Sequence, residues 1–240
     1  MKPIAILQHE RTQGPGFLLN CLESQGWACE LIEPGDERPW QARDFAGIVV
    51  LGSDASVHDG ADWIEAERQL LRRALVADVS VLGHCFGAQL LAQALGARVQ
   101  RNPCAQIGWQ CLGVTPAARA LFGGQPRVWS FNWHYEGFEI PRGAQRTLFG
   151  AYSLNKGFAL GPHLGLQGHL QITAEGVAAW CAEAREELAR AQGPAVQSEA
   201  EMLQGLALHV ASMQAAARQL YQHWASGLQQ RQPRAVLMRS

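Results

Sequence analysis

Val79-Ser80-Val81-Leu82-Gly83-His84-Cys85-Phe86-Gly87-Ala88-Gln89-Leu90-Leu91-Ala92 decides the fold. Its first four residues read as a buried strand, and a helical run starts directly after the glycine-flanked cysteine. A strand that bends sharply into a helix crowds its backbone, and glycines two positions before and after the bend relieve that crowding. The helix N-terminus turns its positive dipole end on the bend residue, which favours thiolate. The Phe86 amide would point where an oxyanion forms on an attacked carbonyl. Cys85 therefore reads as a nucleophile rather than a small buried hydrophobe.

The flanking segments repeat the strand–helix alternation. Residues 3–8 form an expected strand, Phe17, Leu18 and Leu22 share a helical face, and Gly26 marks that helix's end. Residues 27–33 are a second strand. Residues 46–51 are continuously apolar, as a central parallel strand should be, and break at Gly52-Ser53-Asp54. An amphipathic helix follows over 61–77. This order predicts a parallel α/β sheet with right-handed crossovers. Between 98 and 170, short alternating runs (107–114, 127–133, 157–168) broken by Gly, Pro and Asn predict hairpins. Beyond Thr173 the chain reads as helix to about Gln192. Gly193-Pro194 interrupts it, and a second helix is expected from about Ser198 to Gln230 with an apolar stripe from Met202 to Leu228.

At 240 residues the chain suits one large domain with an appendage, with a catalytic unit over 1–192 and a helical extension over 193–240. Apolar residues make up 48% and charged residues 17%, which excludes a disordered or collagen-like chain. A formal charge of −1 offers no basic field for nucleic acid or anionic lipid. No run is long enough to span a membrane, and the N-terminus lacks a signal peptide's pattern. The six cysteines (Cys21, Cys29, Cys85, Cys104, Cys111, Cys181) are sparse, so a reduced, cytoplasmic protein is expected rather than a disulfide framework. No His/Cys cluster has zinc spacing, so neither a metal nor a cofactor is expected.

The segment GHCFGAQLLAQALGARVQRNP resembles the nucleophile-elbow region of class I glutamine amidotransferases, whose pattern is Gly-x-Cys-x-Gly-x-Gln. The resemblance extends upstream through GIVVLGSDASVHDGADWIEAERQLLRRAL and downstream through IGW, WHYEGFEIPRGA and LGLQGHLQIT, about residues 44–173. Within the family the chain looks most like stand-alone domains related to the amidotransferase part of GMP synthetase. The resemblance implies a flavodoxin-like, mostly parallel sheet flanked by helices, with a small hairpin region and a helical C-terminal extension. It also implies attack by Cys85 on the side-chain amide of glutamine, giving a glutamyl thioester and ammonia. His169 would be the base, and the amides of Phe86 and the Gly52-Ser53 loop the oxyanion hole. Gln89, His134 and Glu136 would hold substrate, Glu136 at its α-amino group.

The chain departs from the family's His-Pro-Glu, reading His169-Leu170-Gln171. A neutral amide can bond the imidazole but cannot stabilise imidazolium by charge; in a serine triad the equivalent loss costs about 10⁴ in rate. Glu175 is a candidate substitute. Ser53-Asp54 replaces a glycine-proline pair in the oxyanion loop, Gly168 stands where Phe is usual, and His84 is expected to be packed or solvent-facing. No ATP-binding fingerprint occurs, so an ammonia acceptor would sit on a separate synthetase subunit, and the last helix could serve docking or homodimerisation. The competing reading is a catalytically weakened homologue that binds a small molecule or a protein. A peptide-directed cysteine hydrolase is disfavoured because such relatives commonly place the histidine directly after the cysteine, where this chain has Phe86.

Overall fold

The computed structural model describes residues 2–34, 36 and 41–231, with no side-chain description at 230 and 231. The end of the expected extension, 232–240, lies outside the described residues. In the first half, elements alternate as β1 (Ile4–Leu7), α1 (Gly16–Glu23), β2 (Cys29–Ile32), β3 (Gly47–Val50), α2 (Asp62–Val76), β4 (Ser80–His84) and α3 (Phe86–Ala94). The second half runs β5 (Val99–Val114), β6 (Arg127–Phe138), β7 (Gln145–Phe149), β8 (Gly157–Leu160), β9 (His163–Leu166), α4 (Ala174–Glu183), α5 (Arg185–Arg190), α6 (Glu199–Leu203) and α7 (Leu206–Arg231).

All nine strands join one sheet in the order β2-β1-β3-β4-β9-β8-β7-β5-β6. It is parallel from β2 to β9 and antiparallel from β9 to β6, so the hairpin region continues the sheet rather than standing apart. Strand alternation sorts the core into two faces. Ile4, Ile6, Val49 and Leu51 pack with α1, α4 and α7. Ala5, Leu7, Ile48 and Val50 pack with α2 and α3. Strands apolar on both sides are what a parallel sheet covered by helices requires.

The C-terminal helix is broken, against the expectation of a continuous run from Ser198. Gly205, at φ +66°, separates α6 from α7. A capping box starts α6: Ser198 Oγ accepts from the Glu201 amide, and the Glu201 carboxylate accepts from the Ser198 amide at 2.7 Å. Met213, Leu220, Tyr221, Trp224 and Leu228 of α7 are buried against the sheet, each apolar side chain stabilising the fold by roughly 1.5–3 kcal/mol. Gly47 permits this approach: a Cβ there would sit 3.0 Å from both Trp224 and Leu228.

The site follows from one pairing. β4 lies parallel to β9 with His84 opposite Leu166, so the residues just past both strands emerge together at the C-terminal end of the sheet. Crevices at this end are where open α/β sheets bind ligands.

Candidate active site

The chain between β4 and α3 makes its turn on Cys85, at φ +50° and ψ −111°. A positive φ at a non-glycine residue is costly and persists only where the surroundings enforce it. Here the enforcement is steric. A Cβ on Gly83 would fall 2.5 Å from the Gly87 carbonyl oxygen, and one on Gly87 would collide with the Val50 carbonyl. Both glycines let α3 start pressed against β3 and β4. The Cys85 amide donates to Leu166 O at 2.8 Å, which ties the bend to β9.

The sulfur is nearly buried, at 5% exposure. Sγ donates to Trp133 O and accepts from Gln167 Nε2, both at 3.8 Å. Burial pushes the thiol up to about 12; the Phe86 amide, the Lys156 ammonium and Gln167 act in the opposite direction.

His169 follows β9, and its amide donates to Phe131 O at 2.8 Å. Its ring stands edge-on to Trp180, with centroids 4.7 Å apart, and is 1% exposed. Nε2 is buried without a hydrogen-bond partner. Burial, then the neighbouring His84, lowers its pKa to about 3. Gln171 is the residue on the other ring nitrogen, its Nε2 lying 3.2 Å from His169 Nδ1. Glu175 is not a substitute: its carboxylate, fully exposed, turns to its own amide and to Thr173. The Gly52 loop abuts the imidazole, since a Cβ on Gly52 would lie 2.8 Å from His169 Cε1.

A cleft of about 400 Å³ opens over these groups, lined by Ser53, Asp54, Cys85, Phe86, Gln89, Arg101, Trp133, His134, Glu136 and Glu187 among others. Ser53 Oγ donates to Glu10 at 3.2 Å, and Glu136 Oε2 accepts from Ser56 Oγ at 2.9 Å. Gln89 Nε2 donates to Glu136 O (3.1 Å) and Gln167 Oε1 (3.4 Å), so this side chain braces the Glu136 segment from behind. An adjoining cavity of about 310 Å³ adds Trp180, Glu183 and Glu186. Of the residues the sequence reading named, Ser53, Cys85, Phe86, Gln89, His134 and Glu136 line this cleft, whereas His169 and Gln171 are buried and, with Gly52, are not part of its lining.

His84 is packed, as the sequence suggested. Its Nδ1 faces Gly168 O at 3.2 Å and its Nε2 faces the Tyr221 hydroxyl at 3.3 Å. Sequence reasoning missed Trp133 O and Gln167 on the sulfur, Trp180 on the imidazole, and Lys156. The last is one of two lysines in the chain, Lys2 and Lys156, and nothing in the neighbouring sequence marks it as buried.

Among the described residues no helix is long and apolar enough to cross a membrane, and no group of three or more His, Cys, Asp or Glu side chains could hold a metal ion.

Comparison with known proteins places this geometry. The profile described as "Glutamine amidotransferase class-I" matches residues 17–157. A glutamine amidotransferase-like protein of Salmonella typhimurium is 28% identical over 211 residues, 81% of this chain and 86% of that protein. The crystal structure of a glutamine amidotransferase from Methylobacillus flagellatus superposes with a TM-score of 0.91 at 33% identity, covering 95% of both chains. A glutamine-hydrolysing GMP synthase of Streptomyces coelicolor is 36% identical over 86 residues, 35% of this chain and 15% of that protein.

Proposed function

Since the chain belongs to the class I glutamine amidotransferase family, we propose that it hydrolyses the side-chain amide of glutamine, or of a related γ-glutamyl compound, through a thioester on Cys85. The observation that carries this reading is the enforced bend at Cys85, φ +50° on a residue facing the cleft. The thiol proton passes to His169 Nε2, the buried atom with no other partner. Sulfur attacks the amide carbon, and the resulting oxyanion takes hydrogen bonds from the Phe86 amide and the Gly52-Ser53 loop. As the C–N bond breaks, His169 returns the proton to the departing ammonia. Water then cleaves the thioester, releasing glutamate and the free thiol. Glu136 receives the substrate's α-ammonium group, with Gln89 and His134 supporting it.

Ammonia would serve an acceptor on a separate synthetase chain, as the GMP synthase likeness suggests. Six free cysteines fit a reducing cytoplasmic setting. The described part of the 193–240 extension packs on the 1–192 unit through Met202 and the apolar face of α7. The contact of Gln171 with His169 favours a second reading, a weakened homologue that binds a small molecule or a protein partner.

Incubation with a glutamine-like diazo ketone separates the two. A mass adduct on the Cys85 peptide, absent in Cys85→Ala, together with ammonia release from glutamine, supports the hydrolase. No adduct and no ammonia from a folded protein would overturn it.

A further inference from the structure

Lys156 is fully buried just before β8. Its Nζ donates to Asn132 Oδ1 at 2.9 Å and contacts His134 Nε2 at 3.0 Å; no described carboxylate pairs with it. A buried ammonium with neutral partners alone is costly, and an anion within its reach would offset part of that cost.

The sheet sets the Cys85 sulfur nearby. Gln167 donates its amide to Lys156 O at 2.9 Å, and the Gln167 side chain reaches Cys85 Sγ at 3.8 Å. Lys156, Gln167 and Cys85 therefore lie on successive neighbouring segments of one face. The lysine stem runs past Gly150, where a Cβ would stand 3.4 Å from Lys156 Cε.

Resting on the reading of Cys85 as nucleophile, we infer that Lys156 is the cation that compensates the Cys85 thiolate, a positioning role taken up where Gln171 leaves the imidazole without a carboxylate. Lys156 gives no proton to the substrate in this role. The thiol proton still goes to His169, and the ammonium lowers the cost of the charge left on sulfur. The electrostatics run both ways. Burial lowers Lys156 to about 7, and the Cys85 sulfur is the foremost group drawing it back up, followed by Cys104. His134, on the β6 side, faces the same ammonium and is held neutral by burial first and then by Lys156. An ammonium can only donate, so His134 Nε2 accepts from it, while Nδ1 lies 2.8 Å from Glu136 O and 3.1 Å from Asn102 Nδ2.

The test reads the thiol itself. Iodoacetamide alkylation of the Cys85 peptide at pH 6, where Lys156 still carries its proton, is followed by mass spectrometry in wild type, Lys156→Gln and Lys156→Met. We expect the rate to fall at least tenfold in both variants. Unchanged rates in folded Lys156 variants would overturn the inference. Should those variants not fold, the reciprocal measurement decides. With only two lysines, a ¹³Cε-lysine spectrum resolves Lys156, whose titration must fall in Cys85→Ala; an unmoved titration overturns the inference. A Lys156-dependent thiol in a protein that releases no ammonia would instead overturn the glutaminase reading and leave this one standing.

Discussion

Two turns lie side by side at the ends of β4 and β9, and they are built by different forces. The β4–α3 turn is held by backbone sterics: Gly83 and Gly87 allow contacts with peptide groups that any side chain would break. The turn after β9 carries His169 and Gln171, and its chemistry depends on charge, which this sequence has changed. Sterics places the nucleophile without regard to what stands at position 171. The protonation state of the site has no such protection. On the proposed function, the backbone of the elbow is therefore kept while the group beside the imidazole has changed from a carboxylate to an amide.

The strongest way to probe the charge-built side is acid. His84, His134 and His169 are buried and neutral, with pKa values lowered to about 4, well below 6.5, and about 3 respectively, burial being the first cause in each. Their folded values lie below the unfolded 6.5, so the stability they contribute is fully present above pH 6.5. It is lost as the unfolded chain takes up protons that the native chain refuses. Urea melts should lose about 4 kcal/mol between pH 7 and pH 5.5, roughly one third from each histidine. A flat profile would show that protonated imidazoles are accommodated. The steric side breaks differently. Gly87→Ala should cost about 3 kcal/mol or more, lowering Tm by about 10 °C, because the clash is with backbone. Gly168→Ala should cost less, since the nearest obstacle is the Ser130 hydroxyl, which can swing away.

Gln171→Glu tests whether charge was what the second turn lost. A carboxylate on Nδ1 selects the Nδ1–H tautomer and stabilises the imidazolium, whereas an amide can present either its N–H or its oxygen. Turnover of glutamine should rise about 10²-fold, below the ~10⁴ of the serine case because thiols ionise more readily. Steady-state ammonia release measures it. No rise would mean that His169 does not limit the rate.

Legibility in the sequence divides along the same line. The elbow was readable because glycine spacing and strand–helix order are local. The parallel half of the sheet was readable because its strands are continuously apolar. β7 and the break at Gly205 were not anticipated, since Gln145–Phe149 carries no strong alternation and a single glycine is tolerated in many helices. The pairing of His169 with Gln171 was read from a motif. Lys156 was not read at all: its meaning depends on two strands meeting across the sheet, with 71 positions of sequence separating it from Cys85. Nothing local marks a lysine as buried.

The smallest effect separates binding from chemistry. Ser56 Oγ donates to Glu136 Oε2 at 2.9 Å, and the Ser56 amide is fixed by Asp59 Oδ2 at 2.9 Å, so the hydroxyl is held by its own loop. Ser56 lines the cleft beside the carboxylate assigned to the substrate's α-ammonium and bonds that carboxylate directly. Ser56→Ala removes one hydrogen bond to a charged acceptor, worth about 1 kcal/mol, or about a fivefold rise in KM at unchanged kcat. That split is the opposite of the one expected at Gln171, where kcat carries the change. If kcat fell together with binding in Ser56→Ala, Glu136 would be setting the position of the scissile amide as well as anchoring the far end of the substrate. The separation between a sterically placed nucleophile and an electrostatically tuned remainder would then have to be redrawn around Glu136.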